Sequence, residues 1–204
     1  MTVSTDTTWH RDFDINGQPY PVRTHVPDLD TDIATLDLPP EQALYLSAIH
    51  EAGHAVVLLA RGGHVHSAEV RSGTFEHGAY SGQVDVCGIG SGDTGAEFFG
   101  AGERAMDRRM RELGLWTPYR GMVAETGAYT DRLEFLSGQP DLGFGDKPID
   151  YRVVHDMADA ALDAQWPAVL HVASALVRHH RLDGDRIADL AGLPNGPHHA
   201  SPAA

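Results

Sequence analysis

The chain has 204 residues, 42% of them apolar, and its 15 Lys+Arg against 29 Asp+Glu give a formal net charge of −14. This composition suits one globular domain with a short appendage and excludes a disordered chain. The acidic balance argues against nucleic acid or an anionic membrane as partner, because both need a basic face, and a single cysteine, Cys87, excludes an internal disulfide and a Cys-rich metal site.

Residues 1–8 are Thr/Ser-rich, with no basic and apolar pattern of a signal peptide. Asn16-Gly17 between 11–15 and 18–22 predicts a hairpin, and Pro19 and Pro21 place its second strand at an edge. An acidic linker follows over 27–37, so 1–38 reads as an N-terminal extension. Pro39-Pro40-Glu41 opens a helix that runs to about Arg61 and stops at Gly62-Gly63. From Ala52 to Ala60 it is apolar almost all round, the pattern of a buried core helix. That run is shorter than the roughly 20 residues a membrane span needs, so the expectation is a soluble, cytoplasmic protein.

Residues 64–71 and 79–86 read as two strands joined by a Gly-containing turn, with Val65, Ala68 and Val70 as apolar positions of the first. A Gly-rich connection over 88–102 and a charged helix over 103–113 read together as an insertion over 88–118. A helix over 120–136, a loop over 137–147, and helices over 149–165, 168–181 and 183–190 complete the domain, with Pro148 and Pro167 taken as helix starts. Residues 194–204 read as a frayed tail in which His198 and His199 are solvated. The fold class is α+β, mostly helical with a small sheet, and the main domain spans 39–193.

Thirteen histidines are the outlier of the composition, and His is the commonest metal ligand. His50-Glu51-Ala52-Gly53-His54 is an H-E-x-x-H inside the predicted helix over 40–61. Residues four apart share a helix face, so both imidazoles can reach one ion. Glu51 stands about 100° round the helix. It can there take the proton from a zinc-bound water. One zinc per chain is the cofactor this pattern implies, and a catalytic zinc needs a third protein ligand beside an open position. The residues after His54 are Ala55-Val56-Val57-Leu58-Leu59-Ala60, so no nearby histidine supplies it. Remote carboxylates remain: Glu125, Asp131, Glu134, Asp150, Asp156, Asp159 and Asp163.

The segment Ser47-Ala48-Ile49-His50-Glu51-Ala52-Gly53-His54-Ala55-Val56-Val57 resembles the peptidase domain of FtsH-type zinc proteases. Val65 to Arg71 is similar to the β-segment that follows that family's motif helix. Thr126-Gly127-Ala128-Tyr129-Thr130-Asp131 is the nearest counterpart of its A-G-x-x-A-E helix. Gly145-Asp146-Lys147-Pro148-Ile149-Asp150-Tyr151 stands where the family has a Gly-rich loop and a ligating aspartate. The resemblance implies a zincin-like fold and a zinc metallopeptidase. It implies zinc held by His50, His54 and Asp150, with Glu51 as general base, and Asp131, Glu125 or Asp146 as alternatives to Asp150. The family's membrane anchor and AAA ATPase have no counterpart in this sequence. The expected substrate is therefore a peptide or flexible protein segment, cleaved without nucleotide. A pathway-specific amide hydrolase or maturation protease, and a non-catalytic zinc-binding interaction protein, are the other functions to weigh.

Gly90-Ser91-Gly92-Asp93-Thr94-Gly95 matches a dinucleotide fingerprint in letters, but no βαβ repeat surrounds it, and it reads as a loop. Cys87 has no paired base and reads as structural. His155 reads as a helix-surface residue. His64 and His66 alternate about Val65 and share a strand face, where a second metal site is the lesser reading.

Overall fold

The computed structural model describes residues 9–11, 14, 15, 17–24, 26, 36–75, 78–89 and 92–198. The N-terminal hairpin is present as β1 (Asp14–Ile15) and β2 (Gln18–Pro19), paired antiparallel. Asn16 and most of the acidic linker, 27–35, lie outside the described residues.

Helix α1 (Pro40–Ala60) starts where proline costs no hydrogen bond and where Glu41 meets the positive helix end. Every residue from Glu51 to Leu59 is buried. By length and composition α1 could cross a membrane, yet 78% of its most apolar stretch is buried within this fold. It is the central core helix.

Strands β3 (His64–Phe75) and β4 (Gly78–Cys87) form a long antiparallel hairpin. The buried positions Val65, Ala68 and Val70 do not keep a strict period of two. A bulge between Val65 and Ser67 resolves this: one extra residue shifts the phase, so all three face the core.

Helix α2 (Asp93–Glu112) departs from the sequence reading. The stretch 93–102 is helical, although three glycines at about 1 kcal/mol each oppose it. Tertiary packing outweighs that cost. Gly95, Gly100 and Gly102 are buried, and a Cβ at Gly100 would come within 3.0 Å of Ala158. These glycines let α2 approach its neighbours closely. The segment is one of three core helices, α1, α2 and α5, that pack on one another.

The single helix expected over 120–136 is two: α3 (Pro118–Gly127) and α4 (Tyr129–Ser137), parted at Ala128. Strands β5 (Leu142–Gly143) and β6 (Ile149–Asp150) form a short parallel pair before α5 (Arg152–His179). Helix α5 runs through Pro167 rather than restarting there. The lost backbone bond is offset by an unbroken apolar stripe of Leu162, Trp166, Val169, Val172 and Leu176. Strand β7 (Arg181–Asp183) then pairs with β3, giving the sheet order β4-β3-β7. Asp183 caps α6 (Gly184–Ala191) by accepting from Arg186 N at 2.8 Å. The architecture is α+β and mostly helical, with a small sheet.

Candidate metal centre

The site begins with the face of α1 that turns towards α2 and α4. His54 is buried, and its Nδ1–H donates to the Phe98 carbonyl at 2.7 Å. That bond assigns Nδ1 to the carbonyl and turns Nε2 towards the other two groups. Nε2 of His50 lies 3.0 Å from Nε2 of His54. Helix α4 supplies the third group: Asp131 Oδ2 lies 3.2 Å from His50 Nε2 and 3.4 Å from His54 Nε2. Among the described residues, these are the three whose donor atoms already converge as metal ligands would.

The spacing can be tested against an ion. Tetrahedral bonds of about 2.0–2.1 Å separate ligand atoms by about 3.3 Å, and the three observed separations bracket that value. Helix α2 passes this site at Gly102. A Cβ there would stand 2.5 Å from His50 Nε2 and closer still to His54 Nε2. Only a glycine lets α2 pass this close to the two nitrogens. Two imidazoles and one carboxylate are a donor set that suits zinc.

The electrostatics agree. Burial would lower the pKa of His54, but Asp131, Glu51 and the Phe98 carbonyl push it up to about 9. Burial would raise Asp131, yet the two histidines hold it far below the usual carboxylate range. The site therefore favours positive charge where the three groups meet. The Asp131 side chain remains 26% exposed, which leaves a solvent approach on that side.

Glu51 is buried beside this centre. Burial raises its pKa most, against the lowering effect of His50 and His54. Its carboxyl lies under β4: a Cβ at Gly82 would overlap it, 2.5 Å from Cδ. Strand β4 is an outer strand of the sheet, so an edge passes directly over Glu51.

Asp131 is held in place through its neighbour. Arg132 is fully buried and donates to Glu103 Oε2 on α2 at 2.8 Å and to the Pro21 carbonyl at 2.8 Å. Its guanidinium faces the rings of Tyr20 at 4.8 Å and Tyr151 at 5.3 Å. Burial would raise Glu103, but Arg132 and His155 outweigh it and keep the carboxylate charged. The pair clamps α4 onto α2 one residue from each side of the centre.

The other candidates lie elsewhere. Asp150, the third ligand implied by the resemblance, is not among the converging groups. Its carboxylate accepts from Trp9 Nε1 at 3.1 Å and from Arg152 at 2.8 Å, tying the N-terminal segment to the start of α5. A local cation and a tryptophan satisfy it. Glu125 accepts from the backbone of Arg23 and Thr24. Asp146 is exposed and binds Arg11 and the Phe144 N–H. His155 is buried rather than on a helix surface, and it sits 3.1 Å from Glu103. Of the motif's three residues, all stand together as the sequence implies. Gly102 and Gly82 were missed, because a glycine's role shows only when a second element crosses it. Comparison with protein-family models finds no match to this chain, and comparison with curated proteins finds none either.

Proposed function

We propose that this protein is a zinc-dependent metallopeptidase. The observation that carries the reading is the convergence of His50, His54 and Asp131 beside a buried Glu51. His50 Nε2, His54 Nε2 and Asp131 Oδ2 would hold the metal. Zinc bound there supplies Lewis acidity and lowers the pKa of water towards about 7.

The chain's own residues do the rest. Glu51, whose pKa burial raises, takes the proton of the attacking water and delivers it to the leaving amine nitrogen. Among the described residues β4 is the outer strand of its sheet and passes next to Glu51, and an extended peptide can add to such an edge as a further strand. That favours a peptide or flexible segment over a small amide. Three converging ligands, with Asp131 facing solvent, suit a catalytic site better than a closed structural one. The resemblance of 47–57 to FtsH-type peptidases points the same way.

The test is cleavage of a mixed peptide pool by wild type, by wild type with a chelator, and by Glu51→Gln. Cleavage by wild type alone is the expected result. Equal cleavage by wild type and Glu51→Gln overturns the mechanism.

A further inference from the structure

A second set of imidazoles lies on the far side of the sheet from α1. His64 and His66 flank the core-facing Val65, and the bulge at this point makes His66 the extra residue of β3. Their ring centroids are 4.7 Å apart. The chain after α6 returns to this spot and is fixed there. Asn195 accepts from Val65 N at 2.9 Å and donates to Val65 O at 3.0 Å, as a paired strand residue would. Gly196 N donates to Gly63 O at 3.0 Å. The approach is tight enough to require glycine: a Cβ at Gly196 would overlap the Gly62 carbonyl, and one at Gly184 would overlap the Val65 carbonyl. The tail over 194–198 is thus seated on β3 rather than frayed.

This seat delivers a third imidazole. His198 stacks edge-on against His64 at 5.3 Å and against His66 at 4.9 Å. His64 Nδ1–H donates to the Gly196 carbonyl at 2.8 Å. That bond holds the tautomer whose Nε2 lone pair is free, the arrangement of a ligating histidine with its outer nitrogen anchored to a backbone carbonyl. Across the ladder His64 pairs with Cys87, and directly opposed side chains share a face, so a thiol stands on the same side. Three imidazoles beside a thiol are donors for zinc and its borderline neighbours, not for calcium or magnesium.

We infer that His64, His66 and His198 form a second metal site, for a divalent transition ion such as Zn2+, which staples the C-terminal segment to the sheet. The rings meet edge to face, and ligation asks those of His66 and His198 to turn a nitrogen towards His64 Nε2, whose ring the Gly196 carbonyl holds. The site shares no residue with the centre on α1 and does not depend on the peptidase reading.

The experiment is calorimetric titration of the full chain with Zn2+, in wild type, H198A, H64A/H66A and H50A/H54A. Two equivalents are expected in wild type and one in H64A/H66A. H198A should weaken one of the two by about tenfold or more, the scale of a lost supporting group or ligand. H50A/H54A should retain the other equivalent. Should H50A/H54A fail to fold, the comparison of wild type with H64A/H66A and H198A decides alone. Identical stoichiometry and affinity in wild type, H198A and H64A/H66A would overturn the inference. Failure of the first centre reads differently: wild type then binds one equivalent, and H64A/H66A removes it.

Discussion

At the scale of single residues, the roles proposed for Glu51 and Asp131 separate by substitution. Glu51→Gln keeps the size and removes the base. Zinc content should stay at the wild-type level while turnover falls by at least about 100-fold, the usual contribution of a positioned base. Elemental analysis and peptide cleavage on the same samples check both halves. Asp131→Ala should lower zinc affinity by about 10-fold or more, whereas Asp150→Asn should leave it unchanged, because Asp150 serves Trp9 and Arg152. A competition titration with a chromogenic chelator distinguishes the two. Loss of zinc in Asp150→Asn with retention in Asp131→Ala would reverse the assignment.

At the scale of elements, the site is the meeting of α1, α2, α4 and β4, and two glycines mark where they touch. Gly102→Ala drives a methyl against both imidazole nitrogens. The fold should survive, since alanine favours a helix over glycine by about 1 kcal/mol, but zinc binding should be lost. Circular dichroism with metal analysis reads both. Arg132→Met should destabilise the protein by about 3–5 kcal/mol, because it takes the guanidinium from the buried Glu103 and leaves only His155 beside it. Denaturant unfolding measures this. The motif helix was legible in the sequence because its signals are local: Pro40 and Glu41 at the start, glycines at the end, and an apolar run between. The hairpin β3–β4 was legible for the same reason. Helix α2 was not, because Gly95, Gly100 and Gly102 argue locally for a loop and only contact with α1 and α5 reverses that. The third converging group was hidden for a related cause. Asp131 reaches the site through the break at Ala128 and the Arg132–Glu103 clamp, both of which depend on residues far apart in the chain.

At the scale of the whole molecule, a mostly helical α+β fold packs around a central helix that carries His50, Glu51 and His54. Zinc that binds only the folded state adds stability by mass action, about 2.7 kcal/mol at a hundredfold excess over its dissociation constant. Thermal unfolding of the metal-loaded protein should therefore shift to lower temperature on chelation, and H50A/H54A should show a smaller shift. A shift of the same size in H50A/H54A would place the stabilising metal elsewhere. The acidic surface, with its net charge of −14, raises the local concentration of cations and disfavours acidic substrates.

The most direct test of the central claim is a crystal structure of the zinc-loaded protein with anomalous data at the zinc edge. A peak is expected within coordination distance of His50 Nε2, His54 Nε2 and an Asp131 oxygen. A peak coordinated by Asp150 in place of Asp131, or no peak at the two motif histidines in a loaded crystal, would contradict it.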